Sequence, residues 1–480
     1  MKRKPLLALL VGFTGVCSLA AQTGLTIYNQ NFAVVRDQIS MDLSKGTQEF
    51  SYSGVTSQLE PESVVLRDPS GQIPLRVLEQ SYRGDPVNQQ RLLQMFEGET
   101  ISFVRVIGDS EVSVQGKIVR APTQSSSGFL EPIIEVDGNL QMTLPGQPVF
   151  PSLGDGSILQ PTLSWKIYTA EAASLEADLS YLTRGLSWEA DYNLVLPNKG
   201  DEVAMSGWVS VKNFSGKNFE KTRIKLIAGN VNKVVQKNQV RSRAMVTADS
   251  FAAQGAPEAV SEKKFDEFHL YSLPGEIDMR DQETKQLEFV RADPVETTKE
   301  YLYDGFEINY YSNGPRSPQT NPQFGTGSSG KVKIYRSFVN SEENNLGIPL
   351  PAGTVRFYRA DTDGQIEFIG ENTIDHTPKD ETVRLYLGDA FDIVAERTQD
   401  SFYKHPTQDM IRETFSIEVR NRSEEDVEVK VIEHLFRWSN WKILSSSIDY
   451  EKTDATTLHF IVPVAAGETE TVTYSVEYTW

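Results

Sequence analysis

One cysteine, Cys17, and five histidines are all that 480 residues offer of the side chains that most often carry nucleophilic or metal chemistry. Cys17 lies in an N-terminal segment with the three parts of a secretory signal: Lys2, Arg3 and Lys4, an apolar run from Leu6 to Val16, and Ser18-Leu19-Ala20 as a small-x-small cleavage site. Cleavage after Ala20 or Ala21 removes the cysteine. The mature chain then forms no disulfide, holds no metal through thiolate and has no cysteine nucleophile. The apolar run is well short of the roughly 20 residues a spanning helix needs, and Val16 stands where bacterial lipidation wants a small residue. No later stretch is long and apolar enough for a transmembrane helix. The expectation is an exported protein of the periplasm, cell envelope or extracellular space.

Positive charge is also scarce. Lys and Arg number 47 against 66 Asp and Glu, a net of −19 that becomes −22 once Lys2, Arg3 and Lys4 leave with the signal. Such a surface repels nucleic acid and anionic headgroups at long range, and it keeps an exported protein soluble. Nucleic acid is not expected as a partner. No cofactor motif survives inspection. Gly325-Thr-Gly-Ser-Ser-Gly330 matches a dinucleotide pattern on paper, but a strand follows it instead of a helix whose N-terminus could hold phosphate.

What the chain has in abundance is alternation. Leu186, Trp188, Ala190, Tyr192, Leu194 and Leu196 put apolar residues on every second position, and Ser187, Glu189, Asp191 and Asn193 make the opposite face polar. Val203, Met205, Gly207, Val209 and Val211 repeat the pattern, and Arg223 to Ala228 adds a third strand in antiparallel style. The fold class is all-β: a multi-domain β-sandwich with immunoglobulin-like modules and a small inserted β-barrel or β-roll.

The expected organisation is a signal peptide at 1–20, an N-terminal β-domain at 24–80, and a small β-module with one short helix (Arg91 to Phe96) at 81–155. A central β-sandwich region follows at 160–400, with mobile insertions at 236–263 and 312–330, and an immunoglobulin-like domain at 410–480. Within the first domain, Ser63 to Arg67 and Ile73 to Leu78 read as a hairpin across Asp68-Pro-Ser-Gly71. The last strand, with Val472, Tyr474, Val476, Tyr478 and Trp480 on one face, reads as a sandwich edge. A short internal echo relates Val209-Ser-Val-Lys-Asn213-Phe-Ser215 to Ile417-Glu-Val-Arg-Asn421-Arg-Ser423, each a strand running into a polar turn that also spells Asn-x-Ser.

The histidines, His269, His376, His405, His434 and His459, include no pair at the i, i+4 spacing of a helical zinc site, and no Gly-x-Ser-x-Gly elbow is present. One polar cluster, Glu371, Asp375 and His376, has the residue types for acid–base work, although a carboxylate beside an imidazole more often fastens a loop. Asp361 and Asp363 beside Gly364 are candidate calcium ligands that also fit an ordinary hairpin turn.

Three motifs carry a family likeness: Gly347-Ile-Pro-Leu-Pro-Ala-Gly-Thr-Val-Arg-Phe-Tyr358, Phe368-Ile-Gly-Glu-Asn-Thr-Ile-Asp-His-Thr-Pro378 and Gly388-Asp-Ala-Phe-Asp392. With Tyr181-Leu-Thr-Arg-Gly-Leu-Ser-Trp-Glu-Ala-Asp-Tyr192 and Leu226-Ile-Ala-Gly-Asn230, they resemble the C-terminal domain of unknown function in mucoidy-inhibitor-like secreted bacterial proteins. The likeness spans roughly 160–480, with a weaker extension at Ile27-Tyr-Asn-Gln-Asn-Phe-Ala-Val-Val-Arg36. It implies an exported β-rich protein and supplies no catalytic residues. Those proteins place a long coiled coil between their β regions where residues 81–155 here read as compact β structure. The expected function is a non-enzymatic envelope protein that binds or scaffolds an envelope protein or glycan. A hydrolase or lyase on envelope polysaccharide and a calcium-stabilised adhesin are the rival readings.

Overall fold

A computed structural model describes residues 23–108, 110–125, 128–153, 157–229, 231–233, 261–265, 268–306 and 317–480. The expected signal peptide, residues 236–260 of the first expected insertion and 312–316 of the second lie outside the described residues. The architecture is multi-sheet β, and among the described residues it holds one short α-helix, Gln89–Met95, and two single-turn 3-10 helices, Pro61–Ser63 and Glu342–Asn344. The chain divides into two compact units, residues 1–188 with 211–285 and residues 189–210 with 286–480.

In the first unit, the strand Phe32–Leu43 buries Val35, Ile39, Met41 and Leu43 on alternate positions. Asp37 falls in the same phase and is also buried, its charge met by Lys217 Nζ at 2.8 Å. The strand pairs with Gly24–Tyr28 and Ala173–Arg184, and Gly24–Tyr28 pairs in parallel with Phe219–Ala228. The strands Gly24–Tyr28 and Phe32–Leu43 therefore close their sheet with partners more than 100 residues away. The hairpin expected across Asp68–Gly71 does not form. Val65–Arg67 joins Ala173–Arg184, whereas Arg76–Arg83 joins Thr162–Thr169 in a different sheet. The turn itself is present, but the Asp68 carboxylate accepts the backbone N–H groups of Ser70, Gln72 and Ile73 at 2.8–2.9 Å, so the chain past the turn is held to Asp68.

The 81–155 module is an open five-stranded sheet with no barrel closure among the described residues. Its order runs Asn139–Gln141, Ile133–Val136, Ser110–Arg120, Thr100–Ile107, Gln147–Val149. The helix is capped by Asn88, whose side chain accepts from Arg91 N at 2.9 Å, and it contributes Leu93 to a core with Phe103, Ile118 and Ile134.

The second unit holds a nine-stranded sheet and a five-stranded one. In the nine-stranded sheet the order is Trp441–Ser446, Thr469–Thr479, Met410–Asn421, Thr382–Lys404, Lys331–Val339, Thr298–Asp304, Val427–His434, Thr457–Val464, Tyr450–Lys452. Residues from both ends of that order, such as Ile417, Tyr474, Val431 and Phe460, share one core, so the sheet folds over into a sandwich. The strands after Met410 need three earlier ones to complete it. Thr469–Thr479 lies between two neighbours and is an interior strand, not the edge expected from its sequence. The five-stranded sheet runs Glu283–Val295, Val203–Asn213, Leu186–Leu196, Gly353–Ala360, Ile366–Ile374. Its pairing of Leu186–Leu196 with Gly353–Ala360 is parallel, which an antiparallel reading of the alternation misses.

The internal echo is a structural repeat. Asn213 is fully buried, and its Nδ2 donates to the carbonyls of Lys217 and Arg280, both at 2.9 Å. Its Oδ1 accepts from Ser215 N and Oγ at 3.1 and 2.8 Å. Asn421, equally buried, donates to the carbonyls of Glu425, Val464 and Ala465 and accepts from Ser423 N and Oγ at 3.0 and 2.7 Å. Neither amide is accessible to a glycan.

Candidate functional site

The five-stranded sheet of the second unit carries an ordered row of polar side chains. Leu186–Leu196 sends Ala190, Tyr192, Leu194 and Leu196 into the core and leaves Asp191 and Asn193 on the other face. On that face each of the five strands contributes one residue to a row linked by hydrogen bonds and, at its outer end, an ion pair. Gln286 Nε2 donates to Ser210 Oγ at 3.1 Å, and Ser210 Oγ donates to Asp191 Oδ2 at 3.1 Å. Arg356 Nη1 donates to Asp191 Oδ1 at 3.0 Å, and Arg356 Nε lies 3.4 Å from Glu371 Oε2. Exposure rises toward the sheet edge, from 17% for the Asp191 side chain to 34% for Arg356 and 57% for Glu371. Burial disfavours the charge of Arg356, but the hydrogen bond and charge of Asp191, with the charge of Glu371, outweigh it and raise its pKa above the ordinary arginine value.

Aromatic rings flank the row. Trp208 stands two residues before Ser210 and Tyr358 two residues after Arg356, both half-buried. Phe368, the cross-strand partner of Tyr358, meets it edge to face at 5.9 Å and is 56% exposed. Both Asp191 oxygens are occupied within the row, while Gln286 and Glu371 lie open on its flanks.

Of the cluster expected from sequence, Glu371 thus belongs to this row. Asp375 follows the end of its strand, exposed, and its carbonyl accepts from Thr377 Oγ1 at 2.9 Å. His376 Nδ1 accepts the backbone N–H of Ala352 at 3.0 Å and fastens the approach to Gly353. Asp361 and Asp363 build the hairpin turn: Asp361 Oδ1 accepts from Thr362 N at 2.6 Å, and Asp363 Oδ1 from Gln365 N at 2.9 Å. Among the described residues no group of three or more His, Cys, Asp or Glu side chains is placed to hold a metal ion.

The nine-stranded sandwich holds two charge pairs in its interior. Arg397 Nε donates to both Glu433 oxygens at 2.8 and 2.9 Å, and Tyr474 Oη donates to Glu433 Oε2 at 2.5 Å. Arg437 Nε lies 2.6 Å from Glu413 Oε2. Burial opposes the Arg397 charge, but Glu433 prevails and raises its pKa. The tyrosines Tyr474 and Tyr478 are pushed well up by burial and by the neighbouring carboxylates. Both arginines also tie down residues 317–330. Arg397 Nη1 donates to the Gly325 carbonyl at 2.7 Å, and Arg437 donates to the carbonyls of Gln319, Asn321, Pro322 and Phe324 at 2.7–3.2 Å. A segment that reads from composition as mobile is therefore anchored from below. Elsewhere in the unit a cavity of about 490 Å³ has Asp201, Glu202, Glu296 and Glu343 in its wall. The buried Arg336 reaches Asp201 Oδ1 at 2.9 Å.

Sequence reasoning missed these buried pairs, although a signal exists. Arg397 is in phase with Ile393 and Ala395, Glu433 with Val429 and Val431, and Glu413 with Ile411 and Phe415. A charge in step with an apolar stripe calls for a partner of opposite sign.

These features define a multi-sheet, all-β protein whose polar groups are organised mainly as cross-strand rows and buried pairs. Residues 177–480 match the model of the family described as domain of unknown function (DUF4139), and the chain belongs to that family. The match contains the whole polar row and both buried pairs. No curated protein matches the chain.

Proposed function

We propose that this is an exported, non-enzymatic protein of the cell envelope that works by binding or scaffolding, with the polar face of the five-stranded sheet as its contact surface. The observation that carries the reading is the row Gln286–Ser210–Asp191–Arg356–Glu371. It fixes hydrogen-bonding groups on a rigid sheet beside partly exposed rings, and such preorganisation favours binding. Its central carboxylate is only 17% exposed and is held by Ser210 and Arg356, an arrangement that suits positioning better than proton transfer. Export is supported by the signal-like residues 1–20. An envelope role is supported by the likeness of residues 160–480 to mucoidy-inhibitor-like secreted proteins.

The test has two parts. Fractionation of the producing cell, with N-terminal sequencing of the recovered protein, is expected to place it outside the cytoplasm with its first residue at 21 or 22. Purified protein is expected to co-sediment with isolated envelope fragments, and Arg356→Ala to lose that association while keeping its circular dichroism spectrum. Recovery of intact chain from the cytoplasm, or equal sedimentation of the variant, would overturn the reading.

A further inference from the structure

We infer that the ligand of this sheet face is a neutral, polyhydroxylated glycan chain, a refinement that rests on the binding reading above. The charges of the row leave little for an ion. Arg356 is shared between Asp191 at 3.0 Å and Glu371 at 3.4 Å, so it is already neutralised against an incoming anion. The chain's net charge of −19 adds long-range repulsion against phosphates, uronates and nucleic acid. Against a cation, Asp191 at the centre of the face is only 17% exposed and already held by Ser210 and Arg356, which leaves Glu371, at the edge and beside Arg356, as the row's exposed carboxylate.

Two carboxylates against one guanidinium leave the row a net charge of −1, carried at its exposed edge by Glu371, and what else it offers is hydrogen-bonding capacity. The Gln286 amide is exposed and has an acceptor oxygen besides its donor to Ser210. Glu371 has a second oxygen on a largely exposed side chain, and Asn193 lies half-buried on the same face. A row of such donors and acceptors suits hydroxyl groups, which both give and take hydrogen bonds.

The rings supply the other half of the chemistry. The face of an aromatic ring is its electronegative part, so it attracts the polarised C–H groups on the flat side of a pyranose. Trp208 lies on one interior strand, while Tyr358 and Phe368 lie on two adjacent strands toward the edge, with the row running past them. Rings separated across strands fit an extended chain of several sugars better than a single one. An apolar protein segment would leave the charged row under it unmatched.

The test uses the full mature chain in native gels cast with neutral polysaccharides (β-glucan, galactomannan, hydroxyethylcellulose) and with anionic alginate, followed by calorimetry with cellohexaose and chitohexaose. At least one neutral glycan is expected to retard the protein, alginate is not, and Trp208→Ala is expected to weaken binding about tenfold or more. Phe368→Ala is the second variant, because its ring is 56% exposed and its loss leaves the core intact. Thermal melts check that both variants are folded. Absence of any neutral-glycan binding, equal binding by the folded variants, or equal affinity for alginate would each overturn the inference. If neutral glycans fail while wild type still sediments with envelope fragments and Arg356→Ala does not, the glycan inference falls and the binding reading stands.

Discussion

Arg397 lies over the ring of Phe415, its guanidinium carbon 3.8 Å from the ring centre, while its Nε donates to both oxygens of Glu433. Cation, ring and carboxylate form one buried stack whose members depend on each other. Removing the carboxylate strands the charge: Glu433→Ala is expected to destabilise the protein by about 3–5 kcal/mol, measured by urea unfolding. Replacing both charges together, Arg397→Met with Glu433→Leu, is expected to cost much less. A double-variant loss equal to the sum of the Arg397→Met and Glu433→Leu losses would show that the pair is not coupled.

Arg437→Ala combined with Glu413→Gln, which spares the sandwich a buried carboxylate without its cation, is expected to free residues 317–324. Limited proteolysis should then cut this segment faster than in wild type, with the remaining fragments still folded. An unchanged cleavage pattern would mean that the four carbonyl contacts contribute nothing to holding it.

Asn421→Ala removes an amide that bridges Glu425, Val464 and Ala465, leaving buried carbonyls without a donor. A loss of about 1–3 kcal/mol is expected from thermal or urea unfolding, with Asn213→Ala of similar size. A near-neutral effect at both sites would reduce the repeat to coincidence.

Glu60 is tied to Lys233 at 2.8 Å and Arg184 at 3.2 Å. Burial raises its pKa, but the two cations outweigh that and bring it below the ordinary glutamate value. The folded-state pKa is thus lower than the unfolded one, so its stabilisation is fully present above the unfolded value. It fades as pH falls from about 4.5 through the lower folded value. Glu60→Gln should be less stable than wild type at pH 7, and the difference should shrink on acidification in paired melts. A difference independent of pH would contradict the assignment.

Gly353 sits in the parallel pairing with Leu186–Leu196, where a Cβ would meet the carbonyl of Ala190. Gly353→Ala is expected to push these strands apart and cost about 1–3 kcal/mol, the usual range for overpacking. Calorimetry with the melting temperature as readout would check it.

The sequence revealed faces better than neighbours. Leu186 to Leu196 and Val472 to Tyr478 are buried on the positions their alternation names, and the polar side of the first was legible as a surface for water or a partner. Asp361 and Asp363 read correctly as fitting a turn. The row itself was hidden, because Asp191 and Arg356 are 165 residues apart and a period of two identifies a strand without naming its partner. The same limit turned two turn-linked strands, Val65–Arg67 and Arg76–Arg83, into a false hairpin. It also made an edge of Thr469–Thr479, whose second neighbour comes from Trp441–Ser446.

Arg437 grips its loop by main-chain oxygens, and a carbonyl is the same on every residue. The hold therefore places few demands on the letters spelled between 319 and 322, only on the path they trace. That makes the loop a natural cassette. Short foreign sequences that keep its trajectory could be displayed there while the arginine beneath stays untouched, which makes the segment usable as an engineered epitope or labelling site.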